Sequence, residues 1–381
     1  MTNIDQKFLD LKNWIQSNGG FVNSKVDLIN SQFGRTVIAT EDLQDERIFT
    51  LPQNLTLNCK NSGLIIDAEF TYRNLVMIAL LYEYHKPNSF WAPYLNLLPH
   101  LKEFKNHPQY LQATGNFPKV SEAMSISVET SFTAFTEFHK KLIEYNNKSG
   151  LFKEIIFEEV LWVYLCVITR MWSEVGLVPF ADLLQHSNES PMAIVTTPDD
   201  LSMTGSFQSG DQVFDNYCVD DDLNLFLNFG FVDSTQTSIL NMSFVFENQQ
   251  NNIDFLIDGL INKSEIKKLI LSSKGINQQL MKFLRLKFID AVDLRMIDID
   301  DAQLGDQAIS LNNELKCLKK IRFRVQNLFS DEEINNATLQ ILNYDSNTPE
   351  YLVYSFIIKI SKFRQNIYEF IDNYWSSFLS N

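Results

Sequence analysis

The stretch from Leu177 to Val232 limits what this chain can fold into more than any other. It opens with an apolar run, Leu177-Val178-Pro179-Phe180-Ala181-Asp182-Leu183-Leu184, that ends in the polar turn Gln185-His186-Ser187-Asn188. Next comes the strand-like segment Gln212-Val213-Phe214-Asp215-Asn216, which delivers an exposed Tyr217 and then Cys218. Asn224 to Val232, with Phe229-Gly230-Phe231 near its end, closes the block. All of it reads as strand and loop. A second region of this character, residues 21–58, lies far upstream, with helical patterns between the two and after the second. The pattern leaves open whether these are two sheets or one sheet assembled across an insertion.

Residues 5–17 carry Phe8, Leu9, Leu11, Trp14 and Ile15 on one helical face, and Gly19-Gly20 stops that helix. Short antiparallel strands are expected at Phe21-Val22, 34–40, 47–52 and Leu55-Thr56-Leu57. From Thr71 the period becomes helical, with Leu75, Ile78, Ala79 and Tyr82 on one face. Pro87 to Tyr94 is a turn with aromatic anchors, and residues 121–172 are mostly helical. Beyond Asn241, helices are expected over 278–297, 307–329 and 351–375; the last carries Phe356, Ile360, Phe363, Ile367, Phe370 and Tyr374 at alternating spacing.

At 381 residues the chain holds two or three domains. The net charge of −15 disfavours nucleic acid and anionic membrane, and favours a partner with a basic surface. Cys59, Cys166, Cys218 and Cys317 form no CxxC clip, so neither a zinc site nor a disulfide framework is indicated. His85, His100, His107, His139 and His186 have no metal-ligand spacing, and HExxH, P-loop and G-x-S-x-G motifs are absent. The N-terminus lacks an apolar signal region and no apolar run reaches bilayer length, so a reducing intracellular compartment is expected.

Taken singly, the candidate residues have ordinary readings. Gly34-Arg35-Thr36 is a turn entering a strand. His186 is a satisfied histidine at a strand-to-loop corner, or part of a loop that holds a purine with Asp182 and Gln185 as polar anchors. Tyr217 is a packing residue. Asp220-Asp221-Asp222 is a solvated turn, and Lys316, Lys319, Lys320, Arg322 and Arg324 are a solvated helix face.

Their order carries more. Gly34 to Thr40 is followed by Ser89-Phe90-Trp91-Ala92-Pro93-Tyr94 running to Leu98-Pro99, then Thr169-Arg170. Pro179-Phe180-Ala181-Asp182-Leu183-Leu184-Gln185-His186-Ser187, Tyr217 with Asn224, and Phe229-Gly230-Phe231 complete the series. This ordered set resembles the SET-domain protein methyltransferases, in the branch that includes the Rubisco large-subunit lysine methyltransferase and the actin-histidine methyltransferase. The resemblance implies an α+β fold: a SET core of small β-sheets split by a helical insertion, then an all-α C-terminal domain that binds the protein substrate. The corresponding segments are 1–89 and 166–240 for the core, 90–165 for the insertion and 241–381 for the tail.

It also implies an S-adenosylmethionine-dependent methyltransferase acting on a lysine amine, with no metal. The cofactor would lie against Gly34, Arg35, Thr36, Arg170, Asp182, Gln185, His186 and Tyr217. Trp172, Tyr217 and Phe229 would line the substrate channel, and Tyr217 would orient the amine as the catalytic residue. A lysine at pH 7 costs about 4.6 kcal/mol to deprotonate. An apolar channel and a nearby sulfonium supply part of that, and in-line positioning contributes on the order of 7–11 kcal/mol at best. A histidine acceptor nearly removes the deprotonation cost. Four positions depart from the family pattern: Gln185 for Asn, Cys218 for Gly, Phe229 for a frequent Tyr, and Thr36 for a frequent Gly. The alternatives are a histidine methyltransferase, which Met171-Trp172 disfavours because the histidine-modifying relative carries a polar residue just after its Thr-Arg, and a non-catalytic SET-fold module that binds a partner. A monomeric protein of the cytoplasm, with the nucleus as a second compartment, is expected.

Overall fold

In a computed structural model the described residues are 3–31, 34–187, 190–217, 221–233, 239–241, 270–272, 275–298, 301 and 303–380. The chain forms two compact units, Met1–Asn116 with Val128–Cys218, and Phe117–Ser127 with Val219–Asn381. The strands between residues 21 and 215 and most of the helical insertion share the first unit.

In the first unit, helix α1 (Asn3–Ser17) buries Phe8, Leu11, Trp14 and Ile15. Four strands form the largest sheet: β1 (Phe21–Val22), β4 (Leu43–Pro52), β8 (Ala193–Thr196) and β9 (Asp200–Phe207), in the order β1-β4-β9-β8. β4 and β9 pair antiparallel from Leu43 with Phe207 to Pro52 with Asp200. One sheet is therefore assembled across the insertion, which answers the question the pattern left open. Between β1 and β4, the hairpin β2 (Val26–Ser31) and β3 (Gly34–Ala39) pairs in register. β2 was not among the expected strands; its Asn30-Ser31 end reads locally as turn. Residues 55–57 are not a strand. A 3-10 turn covers Gln53–Leu55, and Asn61 Nδ2 takes the carbonyls of Gln53 and Thr56, removing them from any ladder.

The insertion carries α2 (Tyr72–His85), the short α3 (Ala92–Leu95) and α4 (Pro108–Ala113), then α5 (Glu122–Ser149) and α6 (Phe157–Arg170). α6 is buried at every position from Val160 to Ile168, as a helix apolar all round must be. It runs straight into the hairpin β5 (Met171–Trp172) and β6 (Gly176–Leu177). Two further strands, β7 (Gln185–His186) and β10 (Phe214–Asp215), pair parallel. Parallel pairing needs a long crossover, and the β8–β9 hairpin lies within it.

The second unit corrects the reading of 222–232 as strand and loop. Asp222–Phe229 is helix α7. The Asp221 carboxylate accepts the Leu223 N–H at 2.7 Å as its N-cap, and Gly230 at φ +75° ends it. The acidic run is not a solvated turn either. Asp221 is buried, and Asp222 pairs with Lys359 at 2.7 Å with both side chains about nine-tenths buried. Asp220 and Cys218 lie outside the described residues.

Among its described residues, the tail holds helices and one small antiparallel sheet, β11 (Ile239–Asn241), β12 (Ile270–Ser272) and β13 (Gly275–Ile276). Its helices are α8 (Gln278–Lys287), α9 (Leu311–Gln326), α10 (Asp331–Gln340) and α11 (Pro349–Ser380). The helix expected over 278–297 stops at Lys287. Helix α10, capped by Ser330 and Glu333, was not expected. The basic cluster on α9 is partly paired, Lys316 with Asp290 at 2.8 Å and Arg322 with Asp372 at 3.0 Å. Among the described residues, no helix is long and apolar enough to cross a membrane.

Leu280, Leu284, Cys317, Ile321, Val325, Phe363 and Ile367 form the core of this unit. A polar cluster sits beside it. Arg285 donates to both Glu314 carboxylate oxygens at 2.8 Å, and Tyr374 donates to Oε1 at 2.6 Å. The Glu314 side chain is fully buried. Arg285→Met strands that carboxylate and is expected to cost about 3–5 kcal/mol, measured by urea denaturation against wild type. Replacing Arg285 and Glu314 together by Met and Leu is expected to recover most of the loss.

Candidate active site

The site is built where β3, the end of α6 and the segment 178–187 meet. β3 begins at Gly34, whose φ of +101° lies in the region that favours glycine. Its far end is joined to the strand leading to Tyr217: Val213 donates to the Val37 carbonyl at 2.8 Å, and Ala39 to the Asp211 carbonyl at 2.9 Å. Phe180 holds a positive φ of +80° while fully buried against Phe8 and Phe49. Such a conformation persists only where packing fixes it. Here it turns the chain into the 3-10 turn Ala181–Leu183, which packs on β3 and carries Asp182.

Asp182 is the electrostatic centre. Its Oδ2 accepts the Tyr94 hydroxyl at 2.5 Å, so the aromatic motif at residues 89–94 reaches the site through one phenol. Burial pushes its pKa up to about 6, against the pull of the Arg170 charge and the Tyr94 hydrogen bond. Its other oxygen, Oδ1, is shut from solvent without a partner, and so is the Thr36 hydroxyl. Arg170, at the end of α6, lies over the Phe104 ring and donates to the Thr169 hydroxyl. The Cys166 thiol, one turn earlier, is pushed up to about 12 by burial.

Two expected contacts fall differently. The Arg35 guanidinium turns to the Leu97 carbonyl at 2.5 Å and to Glu103 at 3.4 Å. It is the Arg35 backbone that faces Gln185, whose Nε2 donates to that carbonyl at 3.2 Å. Gln185 Oε1 accepts from Gln212 at 3.1 Å. The Gln185 side chain thus spans β3 and the strand leading to Tyr217.

His186 acts on Tyr217. Its Nδ1 accepts the Tyr217 backbone N–H at 3.2 Å, and the two rings stand 5.0 Å apart. Tyr217 is half-buried rather than exposed. Its hydroxyl donates to the Leu184 carbonyl at 2.8 Å, and burial raises the phenol far above its ordinary value. A phenol this hard to ionise orients and donates; it is no base. Trp172 lies two residues after Arg170, on β5, half-buried. Phe229 belongs to the second unit, on the last turn of α7.

The residues to which the sequence assigned no site role are Tyr94 and Asp215. Tyr94 ends the aromatic motif and is wholly buried. Asp215 is a carboxyl inside an apolar strand, 4% exposed, with an unpartnered oxygen. Its position two residues before Tyr217 was the available signal. Among the described residues no cluster of His, Cys, Asp and Glu is arranged to hold a metal ion.

No family model matches the chain. The actin-histidine N-methyltransferase of Homo sapiens is 24% identical over 341 residues, 79% of this chain and 55% of that protein. That of Rhinolophus ferrumequinum is 23% identical over 340 residues with the same coverage. The chain thus spans just over half the length of these curated relatives. Among solved structures, the SET domain of LSMT bound to lysine and AdoHcy matches with a TM-score of 0.68 at 16% identity, covering 97% of this chain and 92% of that one. Rubisco LSMT bound to AdoMet matches at 0.64 and 19% identity, covering 99% and 92%. Small sheets assembled across a helical insertion and these superpositions agree: the chain has the fold of the Rubisco LSMT SET domain and is similar in sequence to the actin-histidine methyltransferases.

Proposed function

We propose that this chain is an S-adenosylmethionine-dependent methyltransferase that modifies a side-chain nitrogen of a protein. The observation that carries this is the pair of buried, unpartnered polar atoms, Thr36 Oγ1 and Asp182 Oδ1, on elements that pack together beside Arg170. A buried polar atom without a partner costs stability. A polar ligand with N–H and O–H groups satisfies both, so the residues fit the cofactor. When bound, the cofactor supplies an electrophilic methyl on a sulfonium.

The chain's own residues do the rest. Thr36, Asp182 and the β3 backbone hold the ligand. Gln185 keeps β3 and the strand before Tyr217 at fixed separation. His186 locks the Tyr217 backbone, and the Leu184 carbonyl locks its hydroxyl. The phenol then stands preorganised at the acceptor nitrogen, which is the condition for in-line transfer.

The acceptor must present a neutral nitrogen. Lysine, the expectation from the sequence, loses about 4.6 kcal/mol to deprotonation at pH 7. Histidine, named in the relatives' own activity, is already neutral. The net charge of −15 favours a substrate with a basic surface.

Tyr217→Phe removes the hydroxyl and leaves the ring on His186. Transfer of labelled methyl into a cell extract depleted of small molecules is expected to fall on the order of 10²-fold, with cofactor affinity unchanged. Wild-type protein that neither binds S-adenosylmethionine nor transfers methyl would sink the proposal in favour of a non-catalytic module.

The buried carboxyls also tie stability to pH. Burial raises Asp215 to about 6, above the unfolded value near 3.9. The folded state therefore keeps a proton that the unfolded chain gives up. Stability from this group is complete below about pH 4 and is lost as pH rises through about 6. Asp215→Asn is expected to melt a few degrees above wild type at pH 7.5, with the gap closing by pH 4.5 in calorimetric scans.

A further inference from the structure

Asp215 is built into the strand that delivers Tyr217. Val213 is fully buried, Phe214 half-buried and Asp215 buried again, so the carboxyl occupies an inward position of an alternating strand. The residue is 4% exposed, and among the described residues its buried Oδ1 has no hydrogen-bond partner. The carboxyl takes the backbone N–H of Asn216. Among the described residues no lysine or arginine charge bears on it. Register pairs Asp215 with His186, whose ring lies against Tyr217. Tyr217 follows Asp215 by two residues, just past the end of that strand, and the Asp215 charge adds to burial in raising the Tyr217 phenol. A buried acceptor with spare capacity thus stands beside the phenol that orients the acceptor nitrogen.

Resting on the methyl-transfer reading, we propose that Asp215 determines the acceptor: its carboxylate receives an N–H of the incoming side chain, and the side chain it selects is an imidazole. The two candidates respond oppositely to a buried carboxylate. An ammonium forms an ion pair with it, which favours the charged form and withholds the lone pair that transfer needs. A neutral imidazole has one N–H and one lone pair. Giving the N–H to Asp215 fixes the tautomer and leaves the other nitrogen to react.

The electron count closes. The free ring nitrogen forms a bond to the methyl carbon, and the methyl–sulfur bond breaks with its electron pair staying on sulfur. The sulfonium charge passes to the ring, which becomes an imidazolium held by the Asp215 carboxylate. That contact is stronger after charge has developed than before, so it accelerates the step. The remaining N–H proton then leaves through the carboxyl to solvent, and the methylated ring is released neutral.

The test uses the full chain, labelled S-adenosylmethionine and a protein extract depleted of small molecules, with the modified residue identified by mass spectrometry. Wild type is expected to label histidine. Asp215→Asn keeps an acceptor oxygen without the charge and is expected to lose about 10-fold in rate; Asp215→Leu removes both and loses on the order of 10²-fold. Both variants are expected to bind S-adenosylmethionine as wild type does, which separates the effect from misfolding. Labelling of lysine by wild type, or an unchanged rate on histidine in Asp215→Leu, overturns this inference and leaves the methyltransferase reading standing. Wild type that labels neither residue overturns both.

Discussion

The parallel pairing of Gln185–His186 with Phe214–Asp215 is the contact on which the site depends. It is only two residues long on each side, and the strands it joins are separated by the whole β8–β9 hairpin. Two residues of ladder hold little by themselves. What makes the pair firm is its attachment on both sides. Val213 and Asp211 bond to β3, Gln185 reaches the β3 backbone and Gln212, and Ser187 donates to the Asp215 carbonyl at 2.8 Å. The approach to the pair is set by Phe180, whose positive φ is fixed by two aromatic rings of the core. The positions of Asp182, His186, Asp215 and Tyr217 are thus consequences of one short seam crossing the first unit.

Holding these groups in place has a thermodynamic consequence. Asp182 and Asp215 are both raised to about 6 by burial, and each leaves one oxygen without a partner. The second unit handles buried charge differently: Glu314 is surrounded by Arg285 and Tyr374, and Asp222 by Lys359. The contrast is chemical. Where a carboxylate is structural, its lone pairs are filled from within the chain. On the proposed reading, the donors that Asp182 and Asp215 lack are the polar hydrogens of ligands. The first unit therefore keeps a deficit that the second does not.

Much of this was legible in the sequence because motif order is insensitive to errors in single elements. Gly34, Arg170, Asp182 and Tyr217 stand in the right succession whether or not residues 55–57 form a strand. What escaped was set by partners distant in the chain. Asp222 looks solvated until Lys359, on the last helix, is beside it. The N-cap at Asp221 and the stop at Gly230 were local helix signals, but a Gly-aromatic ending reads equally well as a strand. Tyr94 is one aromatic among many until Asp182 accepts its hydroxyl. Asp215 was the least visible, since one carboxylate in a strand ordinarily marks the solvent face; only burial shows it facing inward.

Two electrostatic scales then act in sequence. A net charge of −15 spreads over the chain and favours a partner with a basic surface, over distances near the screening length of about 8 Å at physiological salt. That field cannot choose between a lysine and a histidine, because both sit readily on a basic partner. The choice belongs to the last few ångströms, where water is excluded and a single carboxylate outweighs the distributed field. At that distance a fixed negative charge holds an amine in its unreactive form and leaves an imidazole in its reactive one. On the proposed reading, an acidic exterior and the Asp215 carboxyl therefore have separable effects: the first sets how often a substrate arrives, and the second sets which nitrogen is ready when it does.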